Sequence, residues 1–178
     1  MSITLSLFNL FIAPLPQRGF FTFRSKILRF AGLKLGRNVK VASGVKFFDQ
    51  YISIGDNAWI GPEVMIHSCK LGPIIIGDSV DIAPRVLLVS GTHRFGHSTR
   101  RAGDEHGAEI RIGSGSWVGA NVTIISGAKI GIGSIIAAGS VVIAGDYPDN
   151  AVLAGAPAQI KKTLSPLLHD LNIADPFE

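Results

Sequence analysis

One six-residue step dominates this chain. Ile112, Val118, Ile124, Ile130, Ile136 and Val142 are evenly spaced and all aliphatic. A second column, four residues on, reads Ser116, Val122, Ala128, Ser134 and Ser140, all small or β-branched. The step recurs earlier as Leu35, Val41, Phe47, then Ile54, Ile60, Ile66, then Ile76, Ile82, Leu88. Internal periodicity of this kind specifies a solenoid before any single motif does. The residue after each aliphatic position sharpens the period. It is Gly or Ala in the first two hexads of every group of three: Gly36 and Ala42, Gly55 and Gly61, Gly77 and Ala83, Gly113 and Gly119, Gly131 and Ala137. In the third hexad it is bulky: Phe48, His67, Val89, Ile125, Ile143. The true repeat is therefore eighteen residues, one turn of a three-sided coil. A short strand and a bend every six residues builds a triangular prism of about five stacked turns. The aliphatic and small columns face inward, and Gly permits the bend.

The interruptions fall in one place. Steps from 47 to 54, 66 to 76 and 88 to 112 each follow a third hexad, so all three insertions leave from the same edge of the prism. The longest, spanning 91–111, is polar and is expected to be a functional loop. The open ends of such a coil need covers. Residues 1–34 are expected to cap one end and 35–160 to form the coil. The tail after Pro157, through 161–178, is expected to give a strand and then a short helix.

Composition narrows the class. Hydrophobic residues make up 47%, charged residues 17%, and mean hydropathy is +0.36, which excludes a disordered chain. The net charge of +4 suits an anionic ligand or surface, and no nucleic-acid partner is expected. One cysteine, Cys69, excludes an internal disulfide framework and fits a cytoplasmic, reducing location. No apolar run reaches eighteen residues. Within 1–30, Phe20, Phe21, Phe23, Ile27 and Phe30 interleave with Arg18, Arg24, Lys26 and Arg29. That mixture suits either a packed cap or contact with the inner membrane surface.

His93 stands near the start of the long insertion, and Trp117 follows twenty-four residues later in SWVGANVTIISG. IGIGSIIAAGSVV and DYPDNAVLAGAPAQIKK come next. These motifs together resemble the sugar, polysaccharide and xenobiotic O-acetyltransferases of the hexapeptide-repeat family, which includes the galactoside and maltose enzymes. The resemblance covers about 90 residues; the rest matches as coils. It implies a left-handed parallel β-helix, whereas ordinary parallel crossovers are right-handed. It implies acetyl-CoA as donor and a homotrimer with each CoA groove between two subunits, the bulky column being a candidate contact stripe. It implies His93 as the general base for an acceptor hydroxyl, a role that imidazole suits. It implies CoA contacts at Trp117, Ala120, Ala138, Ile143 and Ala144, with Lys161 and Lys162 near the phosphates. Glu63 and His67 are candidates for the acceptor pocket, and the group orienting His93 is either a backbone carbonyl or a carboxylate. His97 and His106 share the long insertion, with solvated side chains expected. Cys69 has no evident base beside it.

Transfer to an amino-sugar nitrogen or to a serine-type acceptor is the alternative within the transferases. A γ-carbonic-anhydrase-like zinc enzyme fits less well, because His93 and His97 are four rather than five residues apart, and no metal is expected. A non-catalytic scaffold is the remaining reading.

Overall fold

The computed structural model describes residues 9–10, 15–16 and 19–165. The chain winds as a left-handed parallel β-helix with three flat faces. Face one stacks β1 (Lys34–Leu35), β4 (Ile52–Ile54), β7 (Ile74–Ile76), β12 (Ile110–Ile112), β15 (Ala128–Ile130) and β18 (Gly145–Tyr147). Face two stacks β2 (Lys40–Val41), β5 (Trp59–Ile60), β8 (Asp81–Ile82), β13 (Trp117–Val118), β16 (Ile135–Ile136), β19 (Ala151–Gly155) and β20 (Ala158–Thr163). Face three stacks β3 (Lys46–Phe47), β6 (Met65–His67), β9 (Leu87–Val89), β14 (Thr123–Ile125) and β17 (Val141–Val142). The register keeps the aliphatic column in line: Ile54 on Ile76, Ile76 on Ile112, Ile112 on Ile130.

Burial explains the pattern. Val41, Ile60, Ile82, Val118 and Ile136 on face two are all essentially inaccessible, and the other faces repeat this. The small column is buried as well and carries a polar duty. Ser116 Oγ donates to the Gly131 carbonyl at 3.1 Å and accepts from the Ser134 amide at 3.2 Å. Ser134 does the same one turn on, toward Pro148 and Ala151. Buried backbone groups at the corner thus find partners without water.

The glycine column has a different cause from the one expected. Gly36, Gly113 and Gly131 do not have left-handed torsions. A Cβ on Gly36 would lie 2.5 Å from the Asp56 amide nitrogen, and one on Gly113 2.5 Å from the Gly131 carbonyl carbon. Close stacking of turns, not bending, excludes a side chain there. The bends fall two residues later, at Asn38, Asn57, Ser79 and Asn150 on one edge and at Glu63, Arg85 and Asn121 on the next, all with φ between 52° and 59°.

The prism continues beyond the five expected turns into a sixth, incomplete one (β18 and β19). The chain then reverses at Ala156–Pro157, and β20 returns antiparallel to β19. The short helix expected in the tail falls outside the described residues. At the other end α1 (Phe21–Phe30) lies across the first turn. Ser25 Oγ hydrogen-bonds the Val39 carbonyl, Leu28 enters the core, and Phe21 meets the Trp59 ring edge-on at 5.0 Å. Arg24 is fully buried and donates to the Gly19 and Pro16 carbonyls, each at 2.8 Å, which ties the preceding chain to this helix.

Candidate active site

All three insertions leave the prism at the edge that follows face three. The long one is a β-hairpin rather than an open loop: β10 (Gly91–Phe95) pairs antiparallel with β11 (Ala102–Gly107). Its base is anchored by Ser90, which is completely buried. The Ser90 amide donates to the His67 carbonyl at 3.0 Å, and its hydroxyl meets the Cys69 amide and the Gly72 carbonyl. The shorter insertion folds back on itself through reciprocal Cys69–Gly72 backbone bonds. Gly107 is held without a side chain because a Cβ there would sit 2.5 Å from Cys69 Sγ.

Hairpin and short insertion enclose a cleft of about 360 Å³, lined by His67, Lys70, Thr92, His93, Glu105 and His106 over Cys69. His93 lies opposite Glu105 in the hairpin register, and its Nδ1 is 3.0 Å from the Gly103 carbonyl oxygen. A carbonyl oxygen can only accept, so Nδ1 carries the proton in this contact, and in the neutral ring Nε2 presents its lone pair. Of the two candidates for orienting this ring, a backbone carbonyl is the one in contact with Nδ1. His67 stacks on Phe48, ring centroids 3.7 Å apart, and partial burial holds its pKa below the ordinary histidine value. Ser68, also in the cleft, has a buried hydroxyl with no partner among the described residues.

The other expected site residues stand elsewhere on the molecule. Glu63 does not line this cleft. It occupies the left-handed corner between faces two and three, in column with Gly44 and Arg85. Ala120 and Ala138 share that second edge. The column there reads Ser43, Pro62, Pro84, Ala120, Ala138. Proline removes the donor on turns two and three. On turns four and five the Ala120 and Ala138 amides have no acceptor among the described residues. Trp117, 46% exposed, projects from face two in register with Asp81 and Ile135. Lys161 and Lys162 are exposed on β20, the outermost strand of that same face. Ile143 and Ala144 return to the hairpin edge, where Ile143 is 41% exposed and its carbonyl accepts from the Tyr147 hydroxyl. His106 lines the cleft with His93, whereas His97 lies nearer the hairpin tip and does not.

Hairpin and prism together match known proteins. Residues 51–83 and 109–144 match the family described as hexapeptide repeat of succinyl-transferase. WcaF of Escherichia coli K12, assigned as a colanic acid biosynthesis acetyltransferase, is 32% identical over 143 residues, 79% of this chain and 74% of the relative. The chain belongs to the hexapeptide-repeat acetyltransferases. Galactoside O-acetyltransferase of the same organism is 32% identical over 135 residues, which span 66% of each chain. A hexapeptide-repeat acetyltransferase of Vibrio cholerae superposes with a TM-score of 0.80 at 30% identity, covering 92% of this chain and 90% of that one. A second structure of that protein is a complex with acetyl coenzyme A. The residues of this chain fit such a ligand. Unpartnered amides at Ala120 and Ala138 can donate to the amide groups of a pantetheine arm, and two exposed lysines further along face two suit its phosphates.

Proposed function

We propose that this hexapeptide-repeat acetyltransferase moves the acetyl group of acetyl-CoA to a hydroxyl of a sugar or cell-surface glycan precursor, by direct transfer with His93 as the general base. The observation that carries this reading is the His93–Gly103 contact, which leaves Nε2 free to accept inside a cleft. His93 Nε2 takes the proton of the acceptor hydroxyl as that oxygen attacks the thioester carbonyl, then returns it to the departing sulfur. Acetyl-CoA, when bound, supplies an acyl group on a thiolate that leaves readily. His67, less easily protonated than an ordinary histidine, offers the acceptor a neutral ring beside the base. Glu63, the other residue expected beside the acceptor, does not line this cleft within one chain.

The working unit in this reading is a homotrimer. His93, Ile143 and Ala144 lie on the hairpin edge, while Ala120 and Ala138 lie on the second edge and Trp117, Lys161 and Lys162 on face two. A face of the prism separates the two groups within one chain. A second copy would bring its second edge against the hairpin edge of the first, and closed threefold symmetry lets every copy do both.

The test is a thiol-release assay with acetyl-CoA across free sugars, amino sugars, nucleotide sugars and oligosaccharide acceptors. Release that depends on a hydroxyl-bearing glycan and is lost in His93→Ala supports the proposal. Release only with amino sugars would move the reaction to nitrogen, and no release above hydrolysis with any acceptor would overturn it.

A further inference from the structure

Charge is divided unevenly along this chain. The first 48 residues hold eight of the 17 Lys and Arg residues and none of the 13 Asp and Glu residues. The remaining 130 residues carry nine basic against all thirteen acidic side chains. The fold concentrates that imbalance at one end of the prism. Each strand of the first turn opens on an exposed lysine, so Lys34, Lys40 and Lys46 ring all three faces. The same outward column on the next turn reads Ser53, Trp59 and Met65, and on the third Ile75, Asp81 and Leu87. The coil therefore does not require a cation there.

The helix over that end adds the apolar half of the pattern. α1 buries Leu28 and Ser25 against the first turn. At 100° per residue, Phe23 and Phe30 fall on the opposite side and point nearly the same way. Phe30 is 89% exposed, Phe23 47% and Phe20 53%. Phe20 and Phe23 pair edge to face at 6.3 Å, and Phe30, about two turns further along the same side, extends the exposed aromatic cluster. Lys26 and Arg29 flank it, both exposed. Buried Arg24 locks the chain before the helix in place through the Gly19 and Pro16 carbonyls. An aromatic cluster of this kind is costly to leave in water and marks a contact surface.

We propose that this end of the molecule docks on an anionic lipid bilayer, with the Phe20, Phe23 and Phe30 cluster entering the interface and the Lys34, Lys40 and Lys46 ring facing the headgroups. A ring around all three faces matches an extended plane across the prism axis better than a small ligand in one groove. Aromatic rings with flanking cations are the pair of features that interfacial helices use, and the basic ring adds the electrostatic term. Among the described residues no helix is long and apolar enough to cross a membrane, so this contact is peripheral.

Sedimentation of the full chain with vesicles decides the matter. Vesicles of phosphatidylcholine mixed with phosphatidylglycerol should capture the protein, and pure phosphatidylcholine or high salt should release most of it. Phe23→Ser with Phe30→Ser, and separately Lys34→Gln with Lys40→Gln and Lys46→Gln, should each weaken capture by on the order of tenfold or more. Both variants should keep the wild-type melting temperature and light-scattering mass, since every changed side chain is exposed. Failure of the wild-type chain to bind the anionic vesicles would overturn the proposal, as would undiminished binding by either variant. A lower mass for the phenylalanine variant would also overturn it, by showing that a second copy covers the helix.

Discussion

The Gly103 carbonyl oxygen stands 3.0 Å from Nδ1 of His93, across two strands of one hairpin. Gly103 can approach so closely because it has no side chain: a Cβ would lie 2.9 Å from the Arg94 carbonyl oxygen and 3.1 Å from the Gly96 nitrogen. Gly103→Ala should therefore push the strands apart and turn the imidazole. We expect kcat to fall roughly tenfold or more, with the KM for acetyl-CoA and the melting temperature little changed. His93→Ala should fall further, by about 10²–10⁴, the usual worth of a positioned base. His97→Ala is the control; His106 is not, because it lines the same cleft.

Ala120→Pro and Ala138→Pro remove single amide donors at a corner that already accepts proline on turns two and three, at Pro62 and Pro84. The fold should survive, as judged by circular dichroism. If those amides hold the pantetheine arm, each variant should weaken acetyl-CoA binding by roughly fivefold to tenfold, the worth of about 1 kcal/mol. Calorimetric titration would measure it. Unchanged affinity in both variants would remove these contacts.

Two inactive variants should rescue one another if each site spans two copies. His93→Ala damages the hairpin edge; Lys161→Glu with Lys162→Glu damages the outer strand of face two. Denaturing the two together and refolding them should return a fraction of wild-type turnover that neither shows alone. A monomeric mass by light scattering, or no rescue in a mixed assembly, would show that one chain holds a whole site.

His67 should titrate below the ordinary histidine value of 6.5 because partial burial disfavours its charged form. The unfolded chain then binds the extra proton first as pH falls. Between the depressed folded value and 6.5, stability should rise with pH, and below that window the loss is complete. The effect is small because the ring is still partly exposed. Proton NMR of the imidazole would give the midpoint. Phe48→Ala, which uncovers the stacked face, should move that midpoint back up.

Gly131→Ala places a methyl 2.5 Å from both the Asp149 carboxylate and the Pro148 carbonyl carbon, in the backbone of the sixth turn. Overpacking of that kind costs about 1–3 kcal/mol. Gly115→Ala meets open space, and its φ of +70° leaves only the left-handed penalty of about 1–2 kcal/mol. Thermal melts should show both losses, the larger at Gly131.

The inward columns were legible because burial acts on every hexad alike: Ile112 and Ser116 repeat at a fixed spacing for the same reason. The sixth turn was hidden because the step from Val142 to Tyr147 is five residues and an aromatic replaces the aliphatic. His93 could be singled out from its motif, but its partners could not. Gly103 and Glu105 meet it through antiparallel pairing, which obeys no repeat, and Cys69 reaches the cleft on a separate insertion.

The reversal at Ala156–Pro157 bears on self-assembly. A prism of stacked parallel strands presents, at its last turn, a sheet edge that another prism could extend indefinitely. Among the described residues the three faces stop at different heights at this end, with five, six and seven strands, so the last turn is not flat. On the tallest face the outermost strand runs antiparallel to the rest, against the direction an incoming turn would need. Its exposed Lys161 and Lys162 add mutual repulsion between like ends. A chain built from the most polymer-like of repeats is thereby kept from growing into a filament.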